Sequence, residues 1–137
     1  MTHRRWLALA LIAALILSGC GRVASGAAQV DVEGRQVRAV ATIGMIADVV
    51  EQVGGERVTV VGLMGPGVDP HLYKASEGDV IRLAEADIVF YNGLHLEAKM
   101  AEVFERMQGR TRTVAVTDGI PRDRLLAPPA FAGAYDP

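Results

Sequence analysis

Cysteine is almost absent: the 137 residues contain one, Cys20, so no disulfide within the chain can staple a small fold. A surplus of positive charge is absent as well. Fourteen Lys and Arg stand against sixteen Asp and Glu, a formal net charge of −2, and Arg4 and Arg5 lie in the opening segment, which leaves the remainder more acidic still. This excludes the basic footprint of a nucleic-acid binder. The longest apolar run, Trp6 to Leu17, falls short of the about 20 residues that a membrane-spanning helix needs, and no stop-transfer signal follows it. No Cys-x-x-Cys pair, no phosphate-cradling glycine loop, no ordered set of Ser, His and Asp and no internal repeat is found. What is there is the composition of an ordinary globular domain, 50% hydrophobic and 22% charged, with material for one core.

The opening Thr2-His3-Arg4-Arg5, the apolar run and the small residues after it have the form of an export leader. Leu17-Ser18-Gly19-Cys20 resembles a bacterial lipobox, in which the thiol is acylated and the chain is cut just before the cysteine. Residues 1–19 are then a lipoprotein signal peptide and Cys20 the lipidated N-terminus of an exported protein held at the membrane surface. An ordinary secretory leader with an incidental cysteine is the alternative, and the paired arginines leave both Sec and twin-arginine export open. Residues 20–36, small and polar without periodicity, read as a flexible tether.

From residue 37 the pattern is α/β. Val37–Ile43 is a β-branched run, followed by Met45, Ile46, Val49, Val50 and Val53 at helical spacing and closed by Gly54-Gly55. Val58–Leu63 is continuously apolar, as strands covered on both faces are. Ser76 and Asp79 have the spacing of a capping box before Val80, Ile81, Leu83 and Ala84. Ile88–Tyr91 is a third strand, Asn92-Gly93 leads into a helix carrying Leu94 to Met107, and Thr113–Val116 is a short fourth strand. Alternation of this kind predicts a parallel sheet with helices on both faces, ligands sitting beyond the carboxyl ends of its strands. The same pattern suits a flavodoxin-like enzyme or a response regulator.

Three histidines exist, and His3 belongs to the leader. His71 follows Asp69-Pro70 in the loop after the second strand, where the proline stiffens the turn that presents the imidazole. Neutral imidazole suits zinc, manganese and iron, usually with its second nitrogen held by a carboxylate, here Asp69 or Asp79. An exposed polar residue on a plain turn is the other reading. His95 reads as a solvated or capping residue, Glu97 as a first-turn acid favoured by the helix dipole, and Tyr73, Phe90 and Tyr91 as packing groups.

The segments Gly67-Val68-Asp69-Pro70-His71-Leu72-Tyr73-Lys74-Ala75-Ser76-Glu77-Gly78-Asp79-Val80 and Ala86-Asp87-Ile88-Val89-Phe90-Tyr91-Asn92-Gly93-Leu94-His95-Leu96-Glu97 resemble the metal-binding receptors of zinc and manganese ABC importers, most of all their treponemal Tro branch. The likeness runs from Val37 to Pro137. It implies a two-lobed periplasmic-binding-protein-like receptor with one metal between the lobes, residues 37–137 forming an incomplete N-terminal lobe. His71 matches the first metal ligand of the family. His95 falls where many relatives have asparagine, and Tyr135-Asp136-Pro137 stops where a second ligand histidine is expected. The resemblance further implies a monomer that is not an enzyme, takes zinc or manganese as its transported ion, with iron a third candidate, and hands it to a permease and its ATPase. A His-rich insertion common in zinc-specific relatives is absent, which favours manganese or mixed use. A lipid-anchored surface adhesin and a small α/β enzyme with His71 as general base are the competing readings.

Overall fold

A computed structural model of the chain describes residues 31–129 and 135–137. The leader, Cys20, His3 and the tether up to residue 30 lie outside the described residues. Among the described residues four strands, β1 (Val37–Ala41), β2 (Val58–Gly62), β3 (Ile88–Tyr91) and β4 (Arg112–Ala115), alternate with three α-helices, α1 (Gly44–Gly54), α2 (Glu77–Glu85) and α3 (Ala101–Met107). All strand pairs are parallel, in the order β2-β1-β3-β4. The sheet registers Val40 of β1 with Val61 of β2 and Val89 of β3.

Alternation along the strands sorts the two faces. Val40 and Val89 turn to one side, where Leu83 of α2 and Phe104 and Met107 of α3 complete the buried cluster with Met64 and Met100. Ala39 and Ala41 turn to the other side, toward α1, whose Ile46 is buried. Small residues there let the helix approach β1 and β2. Helices therefore lie on both faces, as the pattern predicts. One expectation about coverage fails. β2 is the edge strand: α1 packs on one of its faces, but the helices on the other face do not reach it, so Val61 there is exposed.

Two carboxylates fasten the frame. Asp87, just before β3, is buried and accepts from the Arg35 guanidinium (2.6 Å) and the Arg38 backbone N–H (2.8 Å), while its own N–H donates to the Arg38 carbonyl (2.8 Å). The Arg35 hydrogen bond, opposed by burial and assisted by Arg38, holds the Asp87 carboxyl well below the usual carboxylate range. Ser76 and Asp79 form the expected capping box at the start of α2.

The third helix begins later than the sequence pattern suggests. Gly93, Leu94 and His95 all have positive φ (89°, 51° and 67°), a 3₁₀ turn spans Ala98–Met100, and α3 starts only at Ala101. The apolar residues Leu94 and Leu96 imitate helical periodicity, but the backbone between them is left-handed. Consecutive non-glycine residues in that region are costly and need outside support.

Candidate metal centre

His71 stands in the loop that leaves β2 at the carboxyl edge of the sheet. The ladder runs on past the strand: Leu63 N–H donates to the Ala41 carbonyl (2.9 Å) and Met64 N–H to the Thr42 carbonyl (3.0 Å) before the chain turns away. At the turn Asp69 Oδ1 accepts from the His71 backbone N–H (2.9 Å), and the Asp69 carbonyl accepts from Leu72 N–H (3.2 Å). Pro70 lies inside that turn with its φ already fixed. The backbone of His71 is thus tied while its imidazole is exposed.

Neither aspartate holds the imidazole, which corrects the sequence expectation. Asp69 spends one oxygen on the main chain of its own turn. Asp79, 5% exposed, is occupied elsewhere: its Oδ2 accepts from the Tyr73 hydroxyl (2.7 Å), the Ser76 hydroxyl (2.6 Å) and the Ser76 N–H (2.9 Å), and its Oδ1 from Arg82 (2.9 Å). Burial would raise the Asp79 pKa, but the bonds from Ser76, Tyr73 and Arg82 outweigh it and bring it down to about 2. Burial, and then donation to Asp79, pushes the Tyr73 hydroxyl up to about 12. Tyr73 does pack against the core as expected, yet its hydroxyl also ties the loop to α2.

Next along the same edge, Thr42 follows β1 and Asn92 follows β3. Glu97, 4% exposed, reaches back between them. Its Oε1 accepts from the Thr42 hydroxyl (2.6 Å) and Asn92 N–H (2.8 Å), and its Oε2 lies 3.3 Å from Gly93 N–H. The sequence reads this residue as a first-turn acid favoured by the helix dipole. The left-handed turn at residues 93–95 instead folds it inward, and no periodicity in the sequence signals that. His95 on the same turn is exposed, as expected of a solvated residue. Tyr91 stacks on Phe104 with ring centroids 4.6 Å apart, a packing role again.

Two hollows among the described residues lie elsewhere. An apolar groove of about 640 Å³ runs between α1 and the sheet, lined by Val37, Met45, Val49, Val53 and Phe90. A smaller one of about 330 Å³ lies beside Gly93, His95 and Phe104. His71 borders neither. Among the described residues no three His, Cys, Asp or Glu side chains are gathered to hold a metal ion, so His71 offers one donor and not a finished coordination shell.

The segment that carries these features matches a known family. The family described as "Zinc-uptake complex component A periplasmic" matches residues 39–136. The chain belongs to this family. It is 44% identical over 132 residues to the manganese-binding lipoprotein MntA of Bacillus subtilis strain 168, covering 96% of this chain and 41% of that protein. It is 54% identical over 88 residues to the zinc-binding protein TroA of Treponema pallidum, covering 64% of this chain and 29% of that one. The chain spans less than half the length of either relative. Among solved structures, the periplasmic zinc-binding protein TroA of Treponema pallidum superposes with a TM-score of 0.69 at 49% identity, over 74% of this chain and 36% of that one. The parallel α/β lobe and the family expected from the two long sequence motifs both stand.

Proposed function

We propose that this chain is part of an extracytoplasmic solute-binding component of an ABC importer, which captures zinc or manganese outside the cytoplasmic membrane and passes it to a permease and ATPase. The observation that carries the reading is His71: a neutral-imidazole donor on a proline-stiffened turn at the carboxyl edge of a parallel sheet, in a chain of this family. Relatives named for manganese or zinc binding support the ion class. The chemistry is coordination and release without turnover. His71 supplies one nitrogen, and groups outside the described residues complete the shell. Residues 1–19 are proposed as the signal peptide, Cys20 as the lipid anchor, and residues 20–36 as the tether to a monomeric receptor. Arg35 and Gln36, at its end, are already fastened to the lobe through Asp87, the Glu56 carbonyl and Thr59.

The test is calorimetry with Zn²⁺ and Mn²⁺ on the mature protein expressed from its own gene, beside His71→Ala. Loss of this ligand should weaken binding by about two orders of magnitude or more, because water replaces a preorganised donor. Deletion of the gene should lower cellular uptake of the same ion, restored by the native gene and not by His71→Ala. Unchanged affinity in His71→Ala would remove the metal reading.

A further inference from the structure

We infer that Tyr73 and Asp79 are positioning residues for His71, holding the ligand loop on the helix behind it; this rests on the metal reading above. The His71 imidazole is exposed, so whatever order it has comes from its backbone. On the upstream side Asp69 caps the turn through the His71 N–H. On the downstream side residues 73–76 form no helix or strand, and Asp79 gathers them: Tyr73 by its hydroxyl, Ser76 by its hydroxyl and its N–H.

Asp79 is itself anchored. It lies in the first turn of α2, is bonded to Arg82, and precedes Leu83, which is fully buried in the core cluster. A continuous path therefore runs from the core through α2 and Asp79 to Tyr73, two residues from His71. Capping α2 requires only Ser76 and Asp79. The Tyr73 hydroxyl is not a member of that box, and its bond to Asp79 closes the loop that bears His71. A ligand on a closed loop loses less conformational freedom when metal binds, which is the physical basis of preorganisation.

The experiment is a double-mutant cycle in the mature protein, with Zn²⁺ affinity measured by competition with a chromogenic chelator for the native protein, Tyr73→Phe, His71→Ala and the double variant. Tyr73→Phe keeps the ring on the core and removes one oxygen. It should weaken Zn²⁺ binding on the order of 10-fold, the lower end for groups that support a ligand from behind, and should change affinity by less than about 2-fold once His71 is gone. An equal loss in both backgrounds, or no loss in either, overturns the inference. A second readout does not need the metal: amide hydrogen exchange at His71 and Leu72 should speed up in Tyr73→Phe and in Asp79→Asn. If His71→Ala leaves affinity untouched, the metal reading fails on its own and exchange decides the positioning claim: faster exchange supports it, unchanged exchange overturns it.

Discussion

Replacing Glu97 by alanine tests the carboxyl edge of the sheet most directly. The substitution strips the acceptor from the fully buried Thr42 hydroxyl and from the half-buried N–H groups of Asn92 and Gly93. A buried donor left without a partner costs about 1–3 kcal/mol. The hydroxyl weighs most. The 3.3 Å contact to Gly93 weighs least, so the sum is about 3–5 kcal/mol. That is a large part of a stability that for single domains is about 5–15 kcal/mol. Glu97→Gln keeps one oxygen but sets an amide N–H₂ or a weaker acceptor against the remaining donors, and should cost about 1–2 kcal/mol. Glu102→Ala is the control: its side chain is 74% exposed and pairs with Arg106 on the surface, so a loss under about 0.5 kcal/mol is expected. Urea unfolding of the mature protein, followed by circular dichroism, reads all three. With a slope near 2 kcal/mol per molar, Glu97→Ala should lower the midpoint by roughly 2 M. A midpoint within about 0.5 M of the native protein at unchanged slope would refute the claim that this carboxylate holds the strand ends together.

Gly93→Ala should destabilise by about 2–4 kcal/mol in the same assay, since its φ is +89° and the new Cβ would sit 2.6 Å from Thr117 Oγ1, which is itself committed to the Asn92 carbonyl. Gly109→Ala, at φ +78° with no atom within 4 Å of the new Cβ, should cost only about 1 kcal/mol; equal losses at the two sites would show that the close contact is not the cause. Asp79 and Asp87 both have lowered pKa values in the fold, so their stabilisation is present above the ordinary value of 3.8 and fades as pH falls from there toward about 2. Urea midpoints measured from pH 7 downward should drop in that window, and less steeply in Asp79→Asn; a flat profile contradicts the assignment. Intact-mass analysis of membrane-extracted protein should find an acylated species starting at Cys20 that Cys20→Ser abolishes, and a leader cut elsewhere with a free thiol would end that proposal. Residues 20–137 in isolation, with His71 as the one matched ligand, should show no tight one-to-one Zn²⁺ or Mn²⁺ binding by calorimetry.

The elements themselves were legible because their information is local. Val37–Ala41, Val58–Gly62 and Ile88–Tyr91 are short apolar runs set between helical periodicities, and the boundaries read from sequence differ from the structure by two residues at most. The capping box at Ser76 and Asp79 was equally visible, since both partners lie within one turn. So was His71 as a candidate, because Asp69-Pro70 announces a stiff turn just after a strand.

What sequence could not show is which distant groups meet. That β1 lies between β2 and β3 follows from pairings such as Val40 with Val89, and the Arg35 to Asp87 clamp joins residues 52 apart. Such contacts depend on the folded path of everything between, and no local preference encodes them. Asp79 was seen as a cap or an imidazole partner, but the conformation of residues 73–76 gave it to Tyr73. Glu97 was seen on a helix that the left-handed turn at residues 93–95 does not allow to begin. The sequence by itself determined the strands, the first two helices and the candidate ligand, since each is set by a few adjacent residues. The tertiary structure decided which carboxylates are buried and what they hold, because a buried charge settles wherever the fold brings enough donors to replace its water.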